Sequence, residues 1–435
     1  MTSHQASGGI DAAGANANAS FRRFMFPEGH PRIADIKGLD PYQYREFARK
    51  AGTFTGGLVE GWTPLYLNDF RGVTSDGTIV EGLYPLEPAA PGEEAPVDEM
   101  LAAVRRLFDA AEPEELDRLR FDVDAVEWQT WANPEFMQFD TGVRLEFASN
   151  AFREAALGLV RAALSPEGYE LTRNMMRING FLGEVVGLPN VLNDFSYNFA
   201  VYGEPDPVAP WGWQLFGHHC AVNCLVVEGR MNLSPVFHGA EPNEIDAGPD
   251  SGLRSFDDRV DAGTELMALL SVEQREHAIV FEQMVDPEMP EGRVHPGDER
   301  HLAGAFQDNR VIPYEGIRVA ELPEDARGAV MRLVETFLVI LPEGPRRAKL
   351  REVVDHLGEA WFSWIGGYEP GDVFYYRFQS PVLIAELDHH CGVFLDYDFP
   401  QRFHVHTVMR VPNGNDYGRA WVRQWQLQQM QKKGQ

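Results

Sequence analysis

PWGWQLFGHHCAVNCLVV, residues 210–227, is an apolar run with two adjacent histidines, His218 and His219, at its centre. Its aromatic and β-branched content, bounded by Gly and Pro, predicts a buried β-strand. Side chains alternate along a strand. This sets His219, Ala221, Asn223 and Leu225 on one face and His218, Cys220, Val222 and Cys224 on the other. A second window, HVHTVMR at 404–410, puts His404 and His406 on one face with Val408 and Arg410. Seven of the thirteen histidines lie in or near these windows: His218, His219, His238, His389, His390, His404 and His406. The other six are scattered singly through polar sequence.

Outward from this strand, YNFAVYG and MNLSPVF extend the β pattern over 197–238. Before it, over 97–176, apolar residues recur at helical spacing: Leu101, Val104, Leu107 and Phe108, then Phe152, Ala156, Leu159, Val160 and Ala163. The same order returns downstream. A helix opens at SVEQREHAIVF, where Ser271 and Gln274 have capping-box spacing. Apolar stripes follow over 330–341 and 350–361, and then the strands DVFYYRFQSPVLIAEL and RFHVHTVMRV. The strands around 199–227 lie over those around 362–387 at an offset of about 163 to 165 residues, with Glu204-Pro205 on Glu369-Pro370.

These patterns predict an α+β fold of helices plus antiparallel sheets, arranged as an internally duplicated, pseudo-two-fold body. Asn223 then falls where the second half has Glu386, and the two polar side chains are expected to meet near the pseudo-axis. The expected divisions are a disordered tail over 1–20, an irregular N-terminal arm over 21–96 with one short helix near PYQYREFARKAG, a first α+β half over 97–250 and a second over 251–435. LEPAAPGEEAPVDE, 86–99, reads as the linker into the main body.

Acidic residues outnumber basic ones by 66 to 38, and the net charge of −28 argues against nucleic acid or an anionic membrane as partner. No apolar run approaches the roughly 20 residues that cross a bilayer. The N-terminus has neither the basic nor the apolar region of a signal peptide. Three cysteines, an odd number in apolar or histidine-rich sequence, fit a reducing compartment, so a cytoplasmic protein is expected.

Two histidines at i and i+2 on a strand can share one ion, and a carboxylate completes a common ligand set. His404, His406 and Glu386, the acid inside VLIAEL, are the expected metal ligands, with His219 as a fourth ligand or general base. Asn223 is an orienting amide. Arg410 is a candidate for gripping an anionic group, and an ion pair with Asp416 is its structural alternative. His218 and Glu241 are secondary candidates, as is a thiolate site of His218, Cys220 and Cys224. His389, His390 and Cys391 read as a hairpin loop outside the main site. The expected cofactor is a divalent ion, zinc or iron first, with manganese or copper as alternatives. The expected activity is hydrolysis of a small polar or anionic molecule by metal-activated water. A non-haem iron or copper oxidoreductase and a non-enzymatic binding or scaffold protein are the other readings.

PWGWQLFGHHCAVNCLVVEGRMNLSPVFHGAEP and HVHTVMRVPNGNDYG together resemble the family catalogued as domain of unknown function 3500, over about residues 97–425. His218, His219, Asn223, Glu386, His404, His406, Arg410 and Asp416 fall on its motif positions, whereas Cys220, Cys224 and His238 stand where it usually has apolar residues. The arm before 97 and the loop at 388–402 look unlike it and are candidates for specificity or quaternary contacts, so an oligomer stays open. The resemblance implies no particular activity.

Overall fold

A computed structural model describes residues 21–433, so the expected tail over 1–20 lies outside the described residues. The arm is less irregular than expected. It holds α1 (Pro31–Ala34), α2 (Pro41–Ala48) and α3 (Phe54–Tyr66). The last was hidden by Gly56, Gly57, Gly61 and an internal Pro64, whose poor helix propensity is outweighed by burial of Trp62 against Phe306.

Each half of the main body then lays down one series of elements. The first runs α4 (Val97–Ala110), α5 (Pro113–Leu119), β1 (Arg120–Phe121), a long loop, β2 (Val143–Arg144), α6 (Asn150–Ala163), α7 (Pro166–Val186), β3 (Tyr197–Tyr202), β4 (Trp211–Gly217), β5 (Cys220–Val227) and β6 (Arg230–Ala240). The second runs α8 (Asp257–Leu269), α9 (Val272–Ala278), β7 (Ile279–Phe281), a long loop, β8 (Ile317–Arg318), α10 (Glu324–Leu338), α11 (Glu343–Asp355), β9 (Trp361–Gly366), β10 (Phe374–Gln379), β11 (Ile384–His389) and β12 (Val405–Arg410). A C-terminal helix, α12 (Arg419–Lys433), closes the chain. Side-chain oxygens cap the helices where the sequence places them: Ser149 and Ser165 open α6 and α7, and the Ser271–Gln274 box opens α9.

Among the described residues the strands form one mostly antiparallel twelve-stranded sheet, ordered β1-β3-β4-β5-β6-β12-β11-β10-β9-β7, with β2 on β3 and β8 on β9. The order reads alike from either end. β1 runs parallel to β3 as β7 does to β9, and the halves join where β6 meets β12, Val236 opposite Met409. Gly142 and Gly316 mark the repeat at atomic scale. Both have positive φ, and a Cβ on either would strike a carbonyl oxygen, that of Phe199 or of Phe362.

The predicted equivalence of Asn223 and Glu386 holds in register, since Gln214 opposes Asn223 as Arg377 opposes Glu386. Their predicted meeting does not occur. β6 and β12 stand between them, and strands about 4.8 Å apart put them on the order of 14 Å from one another.

Helices cover one face of the sheet. Thr172 of α7 reaches His238, and Phe337 of α10 packs on Tyr376, whose hydroxyl donates to the Arg259 carbonyl of α8. The long loops 122–142 and 282–316 cross the other face, where Trp131 and His301 both lie against Phe237. The arm lies over these loops, through Tyr44 on Phe136 and Trp62 on His295. Both faces are therefore dry, and nearly every residue of the eight central strands is buried.

Candidate metal centre

His218 and His219 are not strand residues. β4 ends at Gly217, β5 begins at Cys220, and these two pair across a two-residue turn formed by the histidines. The turn places the imidazoles side by side, 3.8 Å between ring centroids and 25° apart, instead of on opposite faces. His219 takes φ +61°, a left-handed conformation costing a non-glycine residue roughly 1–2 kcal/mol, and its N–H donates to Asn133 Oδ1 at 3.2 Å. Such strain persists where the surroundings over-determine a position, often at functional sites.

From this turn His219 reaches the start of β12. His406 Nε2 lies 3.0 Å from His219 Nε2 and 3.0 Å from His404 Nε2, and all three residues are buried. Gly239, opposite His406 across the strand pair, makes room: a Cβ there would stand 2.8 Å from His406 Cδ2 and 3.0 Å from His219 Cδ2.

Proton positions follow from the hydrogen bonds. Tyr397 donates its hydroxyl proton to Glu241, and the Cys391 carbonyl can only accept, so His404 Nδ1, 2.8 Å from that carbonyl, carries the proton. His404 Nε2 is then a lone pair. Burial, with neighbouring histidines adding to it, holds His219, His404 and His406 well below the usual imidazole pKa, so the rings are neutral at pH 7. One N–H can bridge only one of the two 3.0 Å contacts well. A single ion taken by all three rings, whose ligand-capable atoms lie within 4.8 Å of one another, would satisfy them together.

Glu386 is not among these ligands. It faces Val408, whereas Asp388 is the residue of β11 opposite His406. Glu386 instead accepts from Leu302 N–H, Ala303 N–H and the Tyr375 hydroxyl, and its Oε2 lies 3.4 Å from His301 Nδ1. Burial would raise its pKa, but His301, Arg377 and Tyr375 prevail and hold it down to about 2. His301, Asp388 and His390 form a second cluster with ligand-capable atoms within 4.8 Å of one another, and the His390 ring sits 3.8 Å from that of His406. His390, set aside in the sequence as part of a loop, thus belongs to the centre. His301 gave no signal, as a lone histidine in an irregular segment.

Other expected participants stand elsewhere. Asn223 is held by Gln214 and the Pro235 carbonyl in the sheet. Arg410 is enclosed by Asp308, Asp416 and the carbonyls of Ala303 and Gly304, so the structural ion pair is what forms. Asp416 also accepts from Ser234 and Val411 N–H. Cys220 and Cys224 face the helices, where burial raises both thiols and disfavours thiolate. His218 turns its Nδ1 to Asn179 at 2.8 Å. Glu241, buried and pushed up to about 7 against three donors, stands behind His404, 3.8 Å from Nδ1.

A cavity of about 410 Å³ opens the centre to the surface. His218, His219, His390 and His406 lie at its floor, Asn133, Phe136, Asp298 and Glu299 at its sides, and the arm supplies Phe26, His30, Arg32, Phe54 and Trp62 as its outer wall.

Fold and site together define an internally duplicated α+β protein with a buried histidine centre beneath an arm-walled cleft. Residues 93–419 match the model of the family described as Protein of unknown function (DUF3500), and the chain belongs to that family. No curated protein and no solved structure matches the chain. Among the described residues, no helix is long and apolar enough to cross a membrane.

Proposed function

We propose that this protein is a metal-dependent enzyme that hydrolyses a small polar or anionic molecule, with a divalent ion on His219, His404 and His406. The observation that carries this reading is the convergence of the neutral His219 and His404 imidazoles on His406, each Nε2 3.0 Å from that of His406, with the His404 tautomer fixed from behind by the Cys391 carbonyl. A zinc-like ion on three histidines supplies an activated water at neutral pH. The chain supplies the rest. Gly239 and the strained turn set the imidazoles, the aromatic arm excludes bulk water from the cleft, and Arg32 and Asn133 replace Arg410 and Asn223 as the groups able to orient a substrate there.

An all-imidazole set also suits copper or iron, which would bring oxygen chemistry. The net charge of −28 supports a small molecule over nucleic acid or membrane as partner, and three free cysteines support assignment to the cytoplasm. The test is elemental analysis of untagged protein beside a His404→Ala, His406→Ala variant shown to be folded by circular dichroism. The expected result is near-stoichiometric metal in the parent only. Zinc or manganese supports hydrolysis, and copper or iron redirects the reading to oxidation. Parent protein that neither contains nor takes up any of these metals would falsify the proposal.

A further inference from the structure

We propose that the protein holds a second divalent ion on His301, Asp388 and His390, beside the first, so that the cleft ends in a two-metal centre. This rests on the reading of His219, His404 and His406 as the first site.

Three observations carry it. One ligand is oriented: Glu386 Oε2 lies 3.4 Å from His301 Nδ1, which leaves the buried Nε2 of that ring for a ligand, a carboxylate–histidine arrangement that typically orients metal ligands. Asp388 already accepts from Arg300, but two polar atoms at this point lack partners. His301 Nε2 and Asp298 Oδ2 are buried without a hydrogen bond among the described residues, and Asp298 stands on the cleft wall beside His390. Thirdly, four carboxylates gather at this point. Asp298, Glu299, Glu386 and Asp388 surround it, with Arg300 on Asp388 and Glu299, His295 3.5 Å from Asp298 and the Arg377 charge acting on Glu386. Glu386 has His301 as its sole ion-pair partner among the described residues. Buried carboxylates whose nearest ion-pair partners are histidines, as for Glu386 and Asp298, are the groups a bound cation would satisfy.

The His390 ring, tilted 36° and 3.8 Å from that of His406, joins the two ligand sets, and they reach the cleft through His219, His390 and His406. Two ions a few ångströms apart would clamp both the attacking water and the leaving oxygen, which suits hydrolysis of a phosphoester. A purely structural role would make the same residues two buried histidine–carboxylate pairs, with no affinity for metal.

The test is titration of chelator-treated, full-length protein with Mn²⁺ or Co²⁺, with bound metal counted and Mn²⁺ paramagnetic resonance recorded. The expected result is two equivalents and a spin-coupled signal in the parent. In His301→Ala one equivalent remains and the coupling is lost, while His404→Ala, His406→Ala loses the first ion. Should His301→Ala not fold, Glu386→Gln keeps the side-chain volume and is expected to weaken one equivalent about 10–100-fold and spare the other. One equivalent in the parent, unchanged by either variant, overturns the second site and leaves the first standing. Two equivalents that both survive His301→Ala and Glu386→Gln overturn its location. No uptake at all overturns both readings together.

Discussion

The two ends of β12 carry buried polar clusters on one face of the sheet, and they are built on opposite principles. At the Arg410 end, Asp308, Asp416, Ser234 and two carbonyls meet each charge with its complement. At the His404 and His406 end, His404 turns its proton away to the Cys391 carbonyl, and the Nε2 atoms of His404 and His219 each lie 3.0 Å from that of His406. The first cluster is complete within the chain and needs nothing from outside. The second would be completed by the divalent ion proposed above. A buried polar group is thus informative about function only after its partners have been counted.

Variants at each end should separate the two. Arg410→Met strands Asp308 and Asp416 in the interior and is expected to cost about 3–5 kcal/mol by chemical denaturation, with metal per folded molecule unchanged. His404→Ala, His406→Ala is expected to abolish metal while shifting metal-free stability by less than about 2 kcal/mol, because the lost packing is offset by relief of the crowded nitrogens. Equal losses of metal-free stability at the two ends would break the comparison.

Acid offers a second separation. His238, on the helix face away from the centre, is held by burial at about 3. Its folded value lies below the ordinary 6.5, so the unfolded chain binds the extra proton. Stability is full above pH 6.5 and falls as pH drops toward 3. Between pH 6.5 and 4.5 this histidine should account for about 2–3 kcal/mol of loss, so a His238→Leu stability profile should be shallower by that amount. A parallel profile would remove His238 from the account.

Smaller effects sharpen the picture. Gly239→Ala pushes a methyl group against His406 and His219, and metal affinity measured by competition with a chelator is expected to fall about 10–100-fold with the fold retained. Cys224→Ala should cost on the order of 1 kcal/mol and leave metal content unchanged. Metal loss in that variant would revive a thiolate site.

Much of this was legible from strand alternation and repeat spacing. His404 and His406 share a face as expected, and the repeat holds in register down to Asn223 and Glu386. The errors have one physical source, which is that pairing and turn geometry are tertiary facts. Alternation puts Glu386 and Asp388 on the same face, but only the β11–β12 register says which one sits opposite His406. An apolar run through GHHC reads as continuous strand, yet the chain reverses there with His219 at positive φ. His301 arrives on a loop anchored by contacts more than eighty residues away in sequence, between Glu386 and the amides of Leu302 and Ala303. No local pattern announces such a residue.

The seam between β6 and β12 has a consequence for how the gene can be divided. The halves meet edge to edge through backbone hydrogen bonds, and the connection at 246–252 is exposed. A nick there would yield two fragments, each ending in a bare strand edge able to recruit any extended chain, itself included. Only the complementary fragment brings His404 and His406 to His219. With the proposed ion bound there, recombining the pieces would report their own association, a split protein whose readout is coordination.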